Sequence, residues 1–175
     1  MTRILFICHG NICRSPMAEF IFKDMVKKAG MEKDFYIESA ATSTEEIYMG
    51  RGNPVYPPAR EQLLLHGIDP KGKTARQLTK SDYDKFDLLI GMDSMNMRNI
   101  SRMIGEDREN KIKKLLDYCD GSDVSDPWYT GRFKECYECI EKGCRALFNE
   151  LNNANPDLCD LRSVQFLNSE FGIRN

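Results

Sequence analysis

Residues 2–7 form an apolar run of strand length that ends on Cys8, and over residues 15–28 the apolar spacing is that of an amphipathic helix. The segment between, Cys8-His9-Gly10-Asn11-Ile12-Cys13-Arg14-Ser15, is therefore a strand-to-helix loop with a thiol at one end and a guanidinium near the other. The alternation continues. Residues 35–40 read as a second strand, 42–58 as a loop rich in Gly and Pro, and 59–66 as a helix stopped at Gly67. Residues 86–92 read as a third strand, 94–104 as a helix and 111–118 as a fourth strand. A last helix over 133–151 carries Phe133, Cys136, Tyr137, Ile140, Cys144, Leu147 and Leu151 at helical spacing, and Asn155-Pro156 stops it. This pattern predicts an α/β chain: a single three-layer domain with a central four-stranded parallel sheet and helices on both faces. Ligands of such sheets sit at the carboxyl ends of the strands, where Cys8 lies. The domain is expected over residues 1–152. Residues 153–175, with Leu161, Val164, Leu167 and Phe171 in a weakly amphipathic pattern, form an extension to which the sequence assigns no role.

With 175 residues, 41% of them hydrophobic, the chain fills one core. Lysine and arginine number 25 against 27 acidic residues, so nucleic acid is not an expected partner and any anion site must be local. The apolar run at the N-terminus is too short for a signal peptide and no stretch reaches membrane-spanning length, so a soluble, cytoplasmic chain with no membrane partner is expected. The seven cysteines, at 8, 13, 119, 136, 139, 144 and 159, are odd in number and scattered, which fits free thiols in a reducing compartment. Two histidines, His9 and His66, are poor material for a metal site or a Ser/His/Asp triad, and no metal or cofactor is expected.

The loop itself reads as a phosphate-binding cradle. Its successive backbone N–H groups, from His9 through Ser15, can converge on an anion, the helix adds the positive end of its dipole, and Arg14 offers a two-pronged donor. Gly10 and Asn11 are residue types that tolerate a left-handed backbone. The same surroundings should hold the Cys8 thiol below its free value of ~8.5, giving an ionised nucleophile. Ser15 is placed to donate a hydrogen bond to that sulfur, or simply to cap the helix.

In these residues the chain resembles the low-molecular-weight protein-tyrosine phosphatases. The Cys-x5-Arg-Ser signature is written here CHGNICRSPMAE, and Asp126-Pro127-Trp128-Tyr129, just before the last helix, matches the family's Asp-Pro-aromatic segment. Similarity also runs through Glu38-Ser39-Ala40, Ala75-Arg76-Gln77-Leu78 and Met92-Asp93. The resemblance implies hydrolysis of phosphotyrosine, in proteins or as small aryl phosphates, through a phosphocysteine on Cys8. Arg14 and the loop amides would stabilise the phosphoryl oxygens, and Asp126 would act as general acid and then base. It also implies a substrate pocket walled by Trp128 and Tyr129, whose alternative is ordinary packing, and by Ile47 with Tyr48 on the loop after the second strand. Cys13 would close a reversible disulfide with Cys8 after oxidation, or else is a small buried residue. A monomer or weak homodimer is expected.

Relatives with other activities are weighed on the same residues. Ile12 matches the tyrosine phosphatases, whereas the related arginine phosphatases tend to have threonine there. Arsenate reductases of this fold need further cysteines mid-chain, and residues 14–118 contain none. A noncatalytic phosphate-binding module has no use for Asp126, and a redox protein built on Cys8 and Cys13 explains neither Arg14 nor Asp126. Cys136-Tyr137-Glu138-Cys139 falls in a helical stripe and reads as core, Gly50-Arg51-Gly52 completes no dinucleotide motif, and His9 reads as a pocket-rim residue more than a base.

Overall fold

The structure, a computed structural model, describes residues 1–154. Strand β1 (Thr2–Cys8) explains why its sequence is a continuous apolar run. Ile4, Phe6 and Cys8 enter one core while Leu5 and Ile7 enter a second on the opposite face, the signature of a parallel strand covered on both sides. It pairs in parallel with β2 (Phe35–Ala41) on one edge and, in the numbering of all strands in chain order, with β5 (Leu88–Gly91) on the other. Strand β6 (Ile112–Lys114) completes the sheet beyond β5, giving the order β2-β1-β5-β6.

Helices α1 (Arg14–Lys28), α2 (Pro57–Leu65) and α6 (Phe133–Ala154) contribute to the first core; α3 (Lys80–Lys85) and α4 (Ser94–Ile104) lie over the second. The described residues thus form one three-layer α/β domain. From β1 it winds outward to β2, then returns to lay β5 on the other side of β1. That reversal opens a crevice beyond the carboxyl ends of β1 and β5, where sheets of this kind bind ligands.

The elements depart from the expected ones in several places. The loop over 42–58 contains a small hairpin, β3 (Ile47–Tyr48) with β4 (Arg51–Gly52), closed by Met49 and Gly50 at φ 48° and 75° as a two-residue primed turn requires. Helix α2 starts two residues early because Pro57 and Pro58 suit a first turn. Helix α3 follows a capping box in which Thr79 and Asp82 serve each other's backbone, with no apolar periodicity to announce it. The fourth strand stops at Lys114, whose N–H is taken by Asp117 at 2.8 Å, and residues 115–118 form a 3-10 turn. That turn puts adjacent Leu115 and Leu116 into the same first core, which a strand, alternating between faces, cannot do, and Gly143 of α6 leaves room for them: a Cβ there would lie 2.6 Å from Leu115 Cγ. The stop at Asn155-Pro156 and the amphipathic pattern of the tail lie outside the described residues. No described helix is long and apolar enough to cross a membrane.

Candidate active site

Residues 9–13 link β1 to α1, and their backbone is polarised. The carbonyls of Cys8, His9, Ile12 and Cys13 accept from the N–H groups of Thr42, Ser43, Tyr56 and Met17 at 2.9, 2.9, 2.8 and 3.1 Å. The N–H groups of residues 9–13, by contrast, have no acceptor among the described residues. A run of amide donors left unpaired while the neighbouring carbonyls are satisfied is an anion nest. Helix α1 adds to it, since its first turn has neither a capping side chain nor an acidic residue to occupy the positive end of the dipole.

Asn11 takes the left-handed conformation, at φ 57°, and its side chain locks it there. The Arg76 N–H donates to Oδ1 at 3.1 Å, so Nδ2 must be the atom facing the serines, and it donates to Ser39 Oγ at 2.8 Å and Ser15 Oγ at 2.9 Å. Having accepted from Asn11, Ser15 Oγ can turn its own proton toward Cys8 Sγ, 3.0 Å away. Ser15 is inside α1 and does not cap it; Cys13 is the N-cap. Gly10 corrects the sequence reading: its φ is not positive, and glycine fits because a Cβ would meet Glu46 Cγ at 3.0 Å.

Arg14 is 2% exposed and held from three sides. Nη1 donates to Asp93 Oδ2 at 2.5 Å and to the Val124 carbonyl at 3.1 Å, and Nη2 to Asp126 Oδ2 at 2.5 Å. Nε–H and one hydrogen on Nη2 have no acceptor among the described residues, which leaves a pair of donors for an oxyanion. Burial alone would pull the guanidinium down, but Cys8, Asp126 and Asp93 outweigh it and hold Arg14 above its ordinary value. Asp126 caps α5 (Pro127–Thr130), a short helix the sequence reading did not anticipate, through Oδ1 and the Trp128 N–H at 3.0 Å. One carboxylate thus faces the guanidinium with one oxygen and is oriented by the helix through the other. Asp123 is engaged elsewhere, with Ser94 and Lys114.

These groups open onto a cavity of about 120 Å³. Cys8, Cys13, Arg14 and Ile12 are buried in its floor, and Asp126, Trp128 and Tyr129 line it from α5. Burial, with Cys8 and Asp126 adding to it, pushes the Cys13 thiol well above its ordinary value. Trp128 leans on Tyr56, their rings 5.1 Å apart. Ile47 and Tyr48 are not among the lining residues: Ile47 packs against the main core, and Tyr48 is 79% exposed on the hairpin. Glu45 and Glu46 stand in the lining instead, Glu45 paired with His9 Nε2 at 2.9 Å and Glu46 bonded by Asn53 Nδ2 at 2.7 Å. Sequence reasoning gave no role to Asp93, Ser39, Glu45 or Glu46. Ser39 and Asp93 had a signal in the blocks of similarity that contain them, and Asp93 also lies just past the end of the third predicted strand beside the sheet's reversal. Cys136 is buried in the core from α6, as its helical stripe predicts, and burial pushes its thiol up to about 12.

A family model described as low molecular weight phosphotyrosine protein phosphatase matches residues 3–156. The protein-tyrosine-phosphatase YfkJ of Bacillus subtilis is 43% identical over 150 residues, covering 84% of this chain and 94% of that one. The Homo sapiens low molecular weight phosphotyrosine protein phosphatase is 35% identical over 153 residues, covering 84% and 94%. Among solved structures, YfkJ superposes with a TM-score of 0.83 at 40% identity, over 89% of this chain and 97% of that one. The YwlE arginine phosphatase, solved as a cysteine-to-serine mutant with a phosphorylated active-site serine, gives a TM-score of 0.74 at 27% identity, over 90% and 99%. With the family model spanning residues 3–156 and relatives this similar over most of their length, the chain belongs to the low molecular weight phosphotyrosine protein phosphatase family.

Proposed function

We propose that the chain hydrolyses phosphotyrosine through a phosphocysteine on Cys8. One observation carries the reading: Arg14 ties Asp126 into the same cavity as Cys8, so nucleophile, oxyanion donors and acid face one small volume. The Cys8 sulfur attacks phosphorus, an S–P bond forms, and the P–O bond to the tyrosine breaks as Asp126 gives its proton to the leaving oxygen. The loop N–H groups and Arg14 neutralise the charge on the equatorial oxygens. A water then attacks phosphorus and loses its proton to Asp126, the S–P bond breaks, and thiolate and phosphate are restored. A carboxylate has no proton to give, so Asp126 must enter the first step protonated.

Tyrosine is favoured over arginine by Ile12, which narrows the floor, and by Trp128 and Tyr129, whose rings suit a phenol. Burst kinetics test the whole reading. A chromogenic aryl phosphate should release one equivalent of phenol before the steady state, and phosphotyrosine should be turned over while phosphoarginine and arsenate are not. Faster turnover of phosphoarginine overturns the assignment. The reading places this reaction in the cytoplasm, in a domain of residues 1–152 acting as a monomer or weak homodimer, and its steps call for no metal or cofactor.

Cys13 carries a second reading. Peroxide takes Cys8 to a sulfenic acid, and attack by the Cys13 sulfur would form an S–S bond and release water. The raised, protonated Cys13 thiol makes this capture slow. Mass spectrometry of mildly oxidised protein should find Cys8 linked to Cys13, with activity restored by a thiol reductant; an unlinked Cys13 leaves it as packing.

A further inference from the structure

The charges around the cavity do not suit the anion it is built for. Arg14 and His9 are the basic side chains in its lining, against the carboxylates of Glu45, Glu46 and Asp126. Asp126 is matched by Arg14 and Glu45 by His9, a pairing that needs a protonated imidazole to count as charge. Glu46 has no cationic partner among the described residues. It is also held in place: Asn53 binds its carboxylate at 2.7 Å and its carbonyl at 2.8 Å, and its stem lies over Gly10 of the loop. Two carboxylates are therefore presented beside the path of an incoming phosphoryl dianion, one of them fixed and half-buried. For a substrate with neutral or acidic neighbours this arrangement is only repulsive. It becomes attractive when positive charge sits next to the phosphorylated residue.

We propose that Glu45 and Glu46 are specificity-determining residues that select phosphotyrosine flanked by lysine or arginine. The inference rests on the phosphotyrosine reading and names the class of peptide within it. Their charge acts through solvent at the rim, so the preference is expressed in association, in kcat/KM more than kcat, and is weakened by salt.

The test uses two phosphotyrosine peptides that differ only in flanking residues, lysine in one and glutamate in the other, beside p-nitrophenyl phosphate. At low ionic strength the basic peptide should be preferred about tenfold in kcat/KM, falling toward unity in about 0.5 M salt. The Glu45→Gln, Glu46→Gln double variant should bring the low-salt ratio to about twofold. Turnover of p-nitrophenyl phosphate by the wild-type chain reports on the phosphatase reading alone, so its loss would implicate that reading and not this one. Equal rates for the two peptides, or a ratio that survives in the double variant, overturn the selection of basic flanks. So does a salt-insensitive ratio in the wild-type chain, a measurement that needs no variant. A phosphoarginine peptide turned over faster than both would assign the carboxylates to a guanidinium and overturn both readings together.

Discussion

At the floor of the cavity the polar side chains are buried and bonded: Asn11 is 1% exposed, Arg14 2% and Ser15 at 0%, each fixed by named partners. At the rim Trp128 is 55% exposed and Tyr129 85%, and the exposed Glu45 carboxylate is paired with a half-exposed histidine. The groups proposed for the chemistry each have a single bonded arrangement, whereas the aromatic groups proposed to wall the substrate stand largely in solvent. A buried arginine between carboxylates adds little net stability but makes any misplacement expensive, so the floor resists change in a way the rim does not.

Substitutions should separate the two regions, and the largest effect belongs to the floor. Cys8→Ser should lower kcat by roughly ten-thousand-fold or more while phosphate still binds, measured by turnover beside calorimetry. Substantial residual activity would mean that the floor does not supply the nucleophile. Arg14→Lys should lose about 10²- to 10³-fold in kcat/KM, because one ammonium cannot serve Asp93, Val124, Asp126 and a phosphoryl group together.

Asp126 joins both regions and gives the sharpest contrast. Asp126→Asn should cost about 10²-fold or more in kcat for tyrosine-like leaving groups and less than about tenfold for activated aryl phosphates, whose phenolate leaves without help. Equal losses for both would reduce Asp126 to the cap of α5. At the rim, Trp128→Ala should raise KM by several-fold with kcat nearly kept, a change of about 1 kcal/mol; a large fall in kcat would erase the distinction between rim and floor.

The smallest effect on turnover is expected behind the floor, at Asp82. Burial alone would raise its carboxyl, but hydrogen bonds from Arg76 and Thr79 outweigh this and hold it below the usual range. A carboxyl lowered in the folded state stabilises above its unfolded pKa of ~3.9 and loses that contribution as pH falls through the folded value. Asp82→Asn should therefore cost about 2 kcal/mol near neutral pH, a gap that closes below about pH 4, read from thermal melts across pH.

The floor was also the legible part of the sequence. Cys8, Arg14 and Ser15 lie within one short stretch, so the spacing alone brings them to the junction of β1 and α1, whereas Asp126 was reached through the family resemblance of the proline and aromatic residues that follow it. The sheet was readable for a similar reason, since β1 and β5 are apolar on both faces. Asp93 was hidden because it looks like any helix cap; only the return of the chain to β5 brings it to Arg14. The rim was misplaced by two residues. The primed turn at Met49-Gly50 points Tyr48 outward and folds Ile47 against the core, and the sequence does not reveal which pair a hairpin's twist will aim at the cavity. Helix α3 and the 3-10 turn rest on local capping by Asp82 and Asp117, which periodicity cannot detect.

Arg14 and Asp126 stand 112 positions apart, which also sets a timetable. A ribosome adding about 5–20 residues per second emits the Cys8 loop first and Asp126 roughly 6 to 22 seconds later. Throughout that interval the amide nest and Cys8 have neither Asp126 beside them nor α6 packed over the sheet. The partners that shape the nest, Thr42, Ser43, Tyr56 and Arg76, all precede Asp126, so anion binding is expected before turnover, which waits for the last fifth of the domain. A ribosome-stalled series of increasing length should bind oxyanions early and gain turnover abruptly once α6 has cleared the exit tunnel.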